Sequence, residues 1–195
     1  QITNAGKLIG IDALTVAAPA ATGRMMRTLM AQPERELRNE QGGSMLTQGD
    51  LILHGDNVIN NGSWQGKNIL LNAQHLNNGG DIQSAGDMQL VLGDSLTSGA
   101  GSKIVANGTA ALEALTLTNQ GEWVAGNLAL KASTLTNGGT VSGVNGLTLD
   151  LRDAFRAGVV DPWLAGHAAG ETPNPCVRCN GGVRIDAMVA LADRL

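Results

Sequence analysis

The chain has 195 residues, which is enough for one or two domains with a buried core. Its 27 glycines, an aromatic content of 2% and the lack of Tyr disfavour an ordinary globular enzyme and favour stacked repeats with many turns. The net charge of -4 gives no overall signal for nucleic-acid binding, and no apolar run reaches the roughly 18 residues that predict a membrane span.

The chain begins with Gln1-Ile2-Thr3 and lacks the basic segment and apolar stretch that open a signal peptide. We therefore expect a mature or excised fragment whose targeting segment is not part of this sequence.

A short sequence pattern recurs from the beginning of the chain. An apolar residue is followed within two positions by Asn and then by Gly, and a weaker copy ends in Ser98-Gly99. The polar anchors are separated by 21, 18, 20, 21 and 18 residues, and they are Asn39, Asn60, Asn78, Ser98, Asn119 and Asn137. A spacing this regular is typical of a repeat protein in which each unit forms one structural layer.

Each repeat continues with a turn, one apolar residue, a Gly and a short alternating strand. The single apolar residues are Met45, Trp64, Ile82, Ile104, Trp123 and Val141, and the strands lie around 51–53, 69–71, 88–90, 128–130 and 147–149. Strands this short cannot bury an apolar face alone, so we predict a parallel β-helix of stacked coils, roughly 30 Å long at ~4.8 Å per coil. Asn and Gly suit the corners, and stacked Asn side chains can hydrogen-bond from coil to coil.

The residues also allow a β-sandwich of short strands with a turn every 8–12 residues or so. We favour the solenoid because a sandwich does not repeat the same pattern at a fixed spacing.

The units at 1–18 and 37–150 resemble the repeats of filamentous haemagglutinin-type exoproteins, including the stalks of contact-dependent inhibition toxins. The resemblance implies a mainly β fold, a right-handed parallel β-helix, secreted by a two-partner route to a bacterial surface. It supplies no catalytic residue. We expect the stalk to bind a host or neighbouring-cell surface. We also expect that copies of the chain could associate through the ends of the solenoid.

Residues 19–36 interrupt the repeat, because Asn4 and Asn39 lie 35 residues apart instead of about 20. A helical face in this insertion would carry Met25, Met26, Leu29 and Met30. One interpretation is a helix that lies against the rod or covers an open end. The other is the start of a winged-helix DNA-binding domain, which residues 29–37 faintly resemble, although no recognition helix follows.

The segment 151–195 differs from the repeat in charge and in periodicity. Every Arg lies outside 42–150, where 3 Lys and 8 acidic residues give 3 − 8 = −5, so we place a seam near Asp150. Asp161 followed by Pro162 predicts a helix start, and a second helix would present Ile185, Met188, Val189, Ala192 and Leu195 on one face. We expect a helical tail that shields the last coil of the solenoid.

The most specific motif of the tail is Thr172-Pro173-Asn174-Pro175-Cys176-Val177-Arg178-Cys179-Asn180. It resembles tRNA-specific 2-thiouridylase, over about 150–195. The resemblance implies that Cys179 is the catalytic cysteine and that Asn174, Pro175 and Cys176 form the loop that meets the target base. Arg178 would favour the thiolate. The sequence lacks the family's phosphate-binding loop and second catalytic cysteine, so we expect an inactive fragment.

Other interpretations of Cys176 and Cys179 are weaker. A Cys-x-x-Cys pair is half of a structural zinc site, but His54, His75 and His167 lack the spacing that would complete it. The flanks do not predict a thioredoxin-like fold, and in an oxidising compartment the pair would form a disulfide or stay exposed. We expect no metal and no cofactor, and we expect the histidines to be surface residues.

The sequence therefore predicts a non-enzymatic stalk joined to a thiouridylase-like fragment. The competing predictions are an ATP-dependent sulfur transferase that acts on tRNA in the cytoplasm, and an RNA-binding module in which 174–180 contact the nucleic acid.

Overall fold

The computed structural model describes residues 1–18, 35–151, 161, 164 and 165. The described residues form a β-solenoid of about six turns, built from parallel strands. The strands are β1 (Ile2–Asn4), β2 (Lys7–Gly10), β3 (Ala13–Ala17), β4 (Glu36–Asn39), β5 (Ser44–Thr47), β6 (Asp50–His54), β7 (Asn57–Asn60), β8 (Ser63–Gly66), β9 (Asn68–Asn78), β10 (Asp81–Ser84), β11 (Met88–Ser98), β12 (Lys103–Glu113), β13 (Thr116–Asn119), β14 (Glu122–Lys131), β15 (Thr134–Asn137) and β16 (Thr140–Asp150).

Each coil contributes a strand segment to three faces. The first face stacks β1, β4, β7, β9, β11, β13 and β15. The second stacks β2, β5, β8, β10, β12, β14 and β16. The third stacks β3, β6, β9, β11, β12, β14 and β16. The long strands bend from one face to the next, and pairing shifts register at several of these bends, for example between Leu92 and Ser95.

The core consists of four apolar rows that run along the rod, one residue per coil. Because side chains alternate along a strand, register pairing places the inward residue of each coil directly on that of the next. Buried members of the rows are Leu37, Val58, Leu76, Leu96 and Leu117; Met45, Trp64, Ile82, Ile104 and Trp123; Leu51, Ile69, Met88, Ala110 and Leu128; and Leu53, Leu71, Leu90, Leu112 and Leu130. Burial of each large side chain stabilises the rod by about 1.5–3 kcal/mol.

The predicted parallel β-helix is confirmed, and the sandwich alternative is wrong because the strands pair in parallel from coil to coil. The repeat anchors also pair as the spacing predicts, from Asn39 to Asn60, Asn78, Ser98, Asn119 and Asn137. Among the described residues there is no helix with the length and apolarity that crossing a membrane requires.

The insertion opens at one corner of the first coil. Ala18 N donates to His54 O, just as Gly55 N donates to Asn72 O one coil later, and Arg35 O accepts from Asp56 N. Ala18 and Arg35 therefore take the positions that Gly55 and Asp56 take in the next coil. Glu36, which the sequence prediction includes in the insertion, pairs with Asn57 in the first face. Residues 19–34 and their predicted helix lie outside the described residues.

Most of the tail also lies outside the described residues. Leu151 packs against the core, and Asp161, Leu164 and Ala165 are helical and exposed, within the segment where Asp161-Pro162 predicts a helix. The second predicted helix, over 185–195, is not among the described residues.

We predict that joining Ala18 directly to Arg35 leaves the solenoid intact. The deletion removes 16 residues and reduces the distance from Asn4 to Asn39 to 35 − 16 = 19, which matches the other coils. A shorter connection lowers the entropy cost of closing the corner, so the free energy of unfolding should stay equal or rise by about 1–2 kcal/mol. Circular dichroism and denaturant unfolding measure this. A loss of strand signal would show that the insertion supports the fold.

Candidate functional site

All site residues that the sequence predicts lie outside the described residues. They are Cys179, with Asn174, Pro175 and Cys176 in the preceding loop. The geometry of the chain's functional surface therefore comes from the solenoid, where three features stand out: an internal row of Asn side chains, two surface grooves and a cluster around His75.

The internal row lies at the end of the first face, where one Asn per coil points into the rod. In each pair the side-chain amide donates to the side-chain oxygen of the next coil: Asn4 to Asn39 at 2.8 Å, and Asn39 to Asn60, Asn60 to Asn78 and Asn119 to Asn137 at 2.9 Å. Several amides also donate to a corner carbonyl, such as that of Gly43 or Gly121. These bonds give buried amides the partners that burial requires.

Ser98 interrupts this Asn row and accepts a different hydrogen bond. The Trp123 indole Nε1 donates to Ser98 Oγ at 2.8 Å, 25 residues back along the chain. Trp64 occupies the equivalent core position three coils earlier, and its Nε1 is buried with no hydrogen-bond partner. Asn39 lies 25 residues before Trp64, but its side-chain oxygen already accepts from Asn4. The two Trp residues therefore differ because one faces Ser and the other faces Asn.

The larger surface groove has a volume of about 560 Å³ and follows the corner where the insertion leaves the rod. Arg35 binds Asp56 through Nη2 to Oδ1 at 2.9 Å and Nε to Oδ2 at 3.1 Å. The Arg35 hydrogen bonds hold the pKa of the Asp56 carboxyl below its usual value. Lys131 pairs with Glu113 at 3.2 Å farther along the groove. The described residues that line it include no Ser, Thr or Cys.

A shallower groove of about 360 Å³ lies on the third face. Half-buried Ile52, Leu70 and Ala111 line its floor. A polar row borders it, in which Asn68 Nδ2 donates to Asp50 Oδ1 at 2.9 Å and Asp87 N donates to Asn68 Oδ1 at 3.0 Å. The result is a narrow strip of half-buried apolar side chains with an acidic edge.

His75, Asp94 and Ser95 are neighbours on the first face, but they do not form a hydrolytic triad. His75 Nδ1 lies 2.9 Å from Ser95 Oγ and 3.3 Å from Asp94 Oδ2, so both partners contact the same ring nitrogen. A triad needs the acid on one nitrogen and the nucleophile on the other. His54, like His75, is only half-buried on a strand surface.

Sequence reasoning missed the Ser98–Trp123 bond and the Arg35–Asp56 ion pair. The partners of each pair are 25 and 21 residues apart, close to one repeat, and this spacing was the one available signal. The repeat spacing predicts which residues stack in a row along the rod, but it does not predict which side chains of neighbouring rows form hydrogen bonds or ion pairs.

The chain is similar to segments of several CdiA proteins. It is 44% identical over 171 residues to a tRNA nuclease CdiA of Escherichia coli strain NC101, covering 88% of the chain and 5% of that protein. It is 47% identical over 150 residues to a 16S rRNA endonuclease CdiA of Enterobacter cloacae, covering 77% of the chain and 4% of that protein. The chain thus spans only about a twentieth of the length of these relatives.

The end of the chain matches a different group. The family model described as the tRNA methyl transferase HUP domain matches residues 130–195. A tRNA-specific 2-thiouridylase MnmA of Acidithiobacillus ferrooxidans is 47% identical over 53 residues, covering 27% of the chain and 15% of that protein. No solved structure matches the chain significantly.

We predict that Ser98→Ala lowers the free energy of unfolding by about 1–3 kcal/mol, because the buried Trp123 N–H loses its acceptor. Ser84→Ala is the matched control, since Ser84 is also buried and Ala106 fills the same row one coil later. The Ser84 hydroxyl donates only a longer bond, of 3.3 Å, to the Gly86 carbonyl, so the control should lose less stability than Ser98→Ala. Denaturant unfolding measures both. Equal losses in the two variants would contradict a role for the indole bond.

Proposed function

We propose that this chain is a non-enzymatic stalk segment of a secreted contact-dependent inhibition exoprotein that is displayed at a bacterial surface. The observation that carries the proposal is the pairing of a stacked, in-register interior with similarity to two CdiA proteins over most of the chain. A rod of this kind separates the segments at its two ends by a fixed distance and needs no reacting group.

The names of the relatives support a structural role for the shared segment. One is a tRNA nuclease and the other a 16S rRNA endonuclease, yet both contain a segment similar to this chain. A segment that is common to proteins with different substrates does not account for the substrate of either protein. It is better explained as a scaffold that both proteins use, with their activities located in the much larger remainder.

The surface of the rod supplies the contacts that we propose for the stalk. The apolar strip at Ile52, Leu70 and Ala111 lies beside acidic Asp50 and the Asn68 amide, and it is the surface we assign to a host or neighbouring-cell partner.

The second candidate function is tRNA 2-thiouridylation, which the similarity of the tail to a 2-thiouridylase favours. Two observations argue for a fragment instead of an enzyme. The match covers 15% of that relative. In addition, the matched region begins at residue 130, and residues 134–150 form β15 and β16, which pair with β13 and β14 of the solenoid. We therefore propose that Cys179 does not catalyse sulfur transfer in this chain.

We predict that replacing the matching segment of the Escherichia coli tRNA nuclease CdiA with residues 1–151 of this chain preserves inhibition of neighbouring cells. The control is a graft with Leu71→Asp and Leu90→Asp, which places two carboxylates in the buried core and should unfold the solenoid. This control should abolish inhibition. Growth of target cells in co-culture is the measurement. Loss of inhibition by the intact graft, when it is still exported, would contradict a passive stalk.

The same proposal predicts that the purified full chain, supplied with tRNA, ATP and a sulfur donor, forms no 2-thiouridine above the level of Cys179→Ala. Thiolated tRNA is separated on a mercury-containing gel. Sulfur transfer that disappears in Cys179→Ala would establish the second candidate function.

A further inference from the structure

Asn followed by Gly is a pair of residues at which a protein chain readily attacks its own side chain. The main-chain nitrogen of the Gly can add to the side-chain carbonyl carbon of the Asn and close a five-membered ring, because Gly has no Cβ that obstructs the approach. The described residues contain five such pairs, which begin at Asn61, Asn78, Asn107, Asn137 and Asn145. Hydrogen bonds in the folded chain decide which of them can react.

The pairs at Asn78 and Asn137 are held by hydrogen bonds on both reacting groups. Asn78 Oδ1 accepts from Asn60 Nδ2 at 2.9 Å, and Gly79 N donates to Asn60 O at 2.7 Å. The pair that begins at Asn137 makes the same two bonds to Asn119, at 2.9 and 2.7 Å. The attacking nitrogen and the side chain under attack are thus fixed in the Asn row, and ring closure there first requires the rod to open.

The pairs at Asn61 and Asn107 both have an exposed Asn, and they differ in the nitrogen that would attack. Gly108 N donates to Gly86 O at 2.8 Å. Gly62 lies between β7 and β8, and within the described part of the chain no atom accepts a hydrogen bond from its N–H. A bonded amide must break its hydrogen bond before it can act as a nucleophile, whereas the Gly62 amide is available in the folded protein.

The side chain of Asn61 is also able to turn toward that nitrogen. The main chain is fixed at this corner, because Asn61 N donates to Asn39 O at 2.8 Å. The Asn61 side-chain amide forms no hydrogen bond with any described residue. Gly79 of the next coil leaves room for it, since a Cβ there would stand 2.7 Å from Asn61 Oδ1. Rotation about the Cα–Cβ bond can therefore bring the reacting carbon to Gly62 N.

We propose that Asn61 is a site of spontaneous modification in the folded protein, at which water replaces the side-chain nitrogen and a carboxylate results. Gly62 N loses its proton and bonds to Asn61 Cγ, the Cγ–Nδ2 bond breaks, and the side-chain nitrogen leaves with that proton as ammonia. Water then opens the ring at one of its two carbonyls, so the product is aspartate or isoaspartate. The change takes the net charge from -4 to −4 − 1 = −5 and places the new charge at an exposed corner of the rod.

The test compares Asn61 with Asn107 while the full chain is incubated in mildly alkaline buffer. The two sites are matched in sequence, because each is followed by Gly and then by a residue with a hydroxyl group. Trypsin cleaves after Arg and Lys, so the two sites fall in the separate peptides 39–67 and 104–131. Mass spectrometry with fragmentation measures the fraction of each Asn that has become a carboxylate. Rates are taken while the circular dichroism spectrum is unchanged.

In the folded protein the rate at Asn61 should exceed the rate at Asn107 by roughly fivefold or more, because the Gly108 amide must first break its hydrogen bond. Asn78 and Asn137 should also react more slowly than Asn61. In denaturant these hydrogen bonds are lost, and the rates at Asn61 and Asn107 should become similar.

Asn61→Gln is the matched control variant. It keeps an amide at this corner, but ring closure would then form a six-membered ring, so the peptide 39–67 should keep its mass during the incubation. Equal rates at Asn61 and Asn107 in the folded protein would overturn the proposal. A ratio that is the same in the folded and the unfolded chain would also overturn it, because the local sequence would then explain the difference. So would a peptide 39–67 that gains a carboxylate just as fast in Asn61→Gln.

Discussion

Register between successive coils is the constraint on which the structure depends. Each strand segment is only a few residues long and has an apolar side that it cannot bury alone, so the core exists only when neighbouring coils align residue by residue. The internal Asn row enforces that alignment. A slip of one residue would place the amides of Asn39, Asn60 and Asn78 outside the row and bring polar outward residues into the core. Apolar rows thus supply the stability, and the Asn row supplies the register.

Much of this fold could be predicted from the sequence because it is periodic. The spacing of the Asn anchors fixed the rows, and even the weak copy at Ser98 pairs where the spacing places it. The insertion was placed at 19–36 because it lengthens one interval, and in the structure Ala18 and Arg35 take corner positions of the coils. The merging of two faces in one long strand, as in β9 and β11, was not predicted, since the repeat gives inward positions but not the continuity of the backbone through a corner.

The functional surface was harder to predict. Ser98 read as a degenerate copy of Asn, whereas it is the acceptor for Trp123, and that role depends on the packing of an indole ring across a coil. The most specific motif, at 172–180, lies outside the described residues, so its roles for Asn174, Pro175, Cys176 and Cys179 remain predictions from resemblance. The two parts of the chain match different groups of relatives, and the structure carries the solenoid through Asp150 into the region that the second match covers.

The most direct measurement of the central claim is the free energy of unfolding of Asn60→Asp as a function of pH, with the exposed Asn77→Asp on the same face as control. A buried carboxylate there would face Asn78 Oδ1, so the account predicts a loss of about 3–5 kcal/mol relative to wild type at neutral pH. Burial raises the folded pKa of such a group, and the protonated carboxyl can donate to Asn78, so the loss should shrink as the pH falls from the folded pKa toward the unfolded value of about 3.9. A loss that does not change with pH, or one no larger than that of the control, would contradict a hydrogen-bonded Asn row inside the rod.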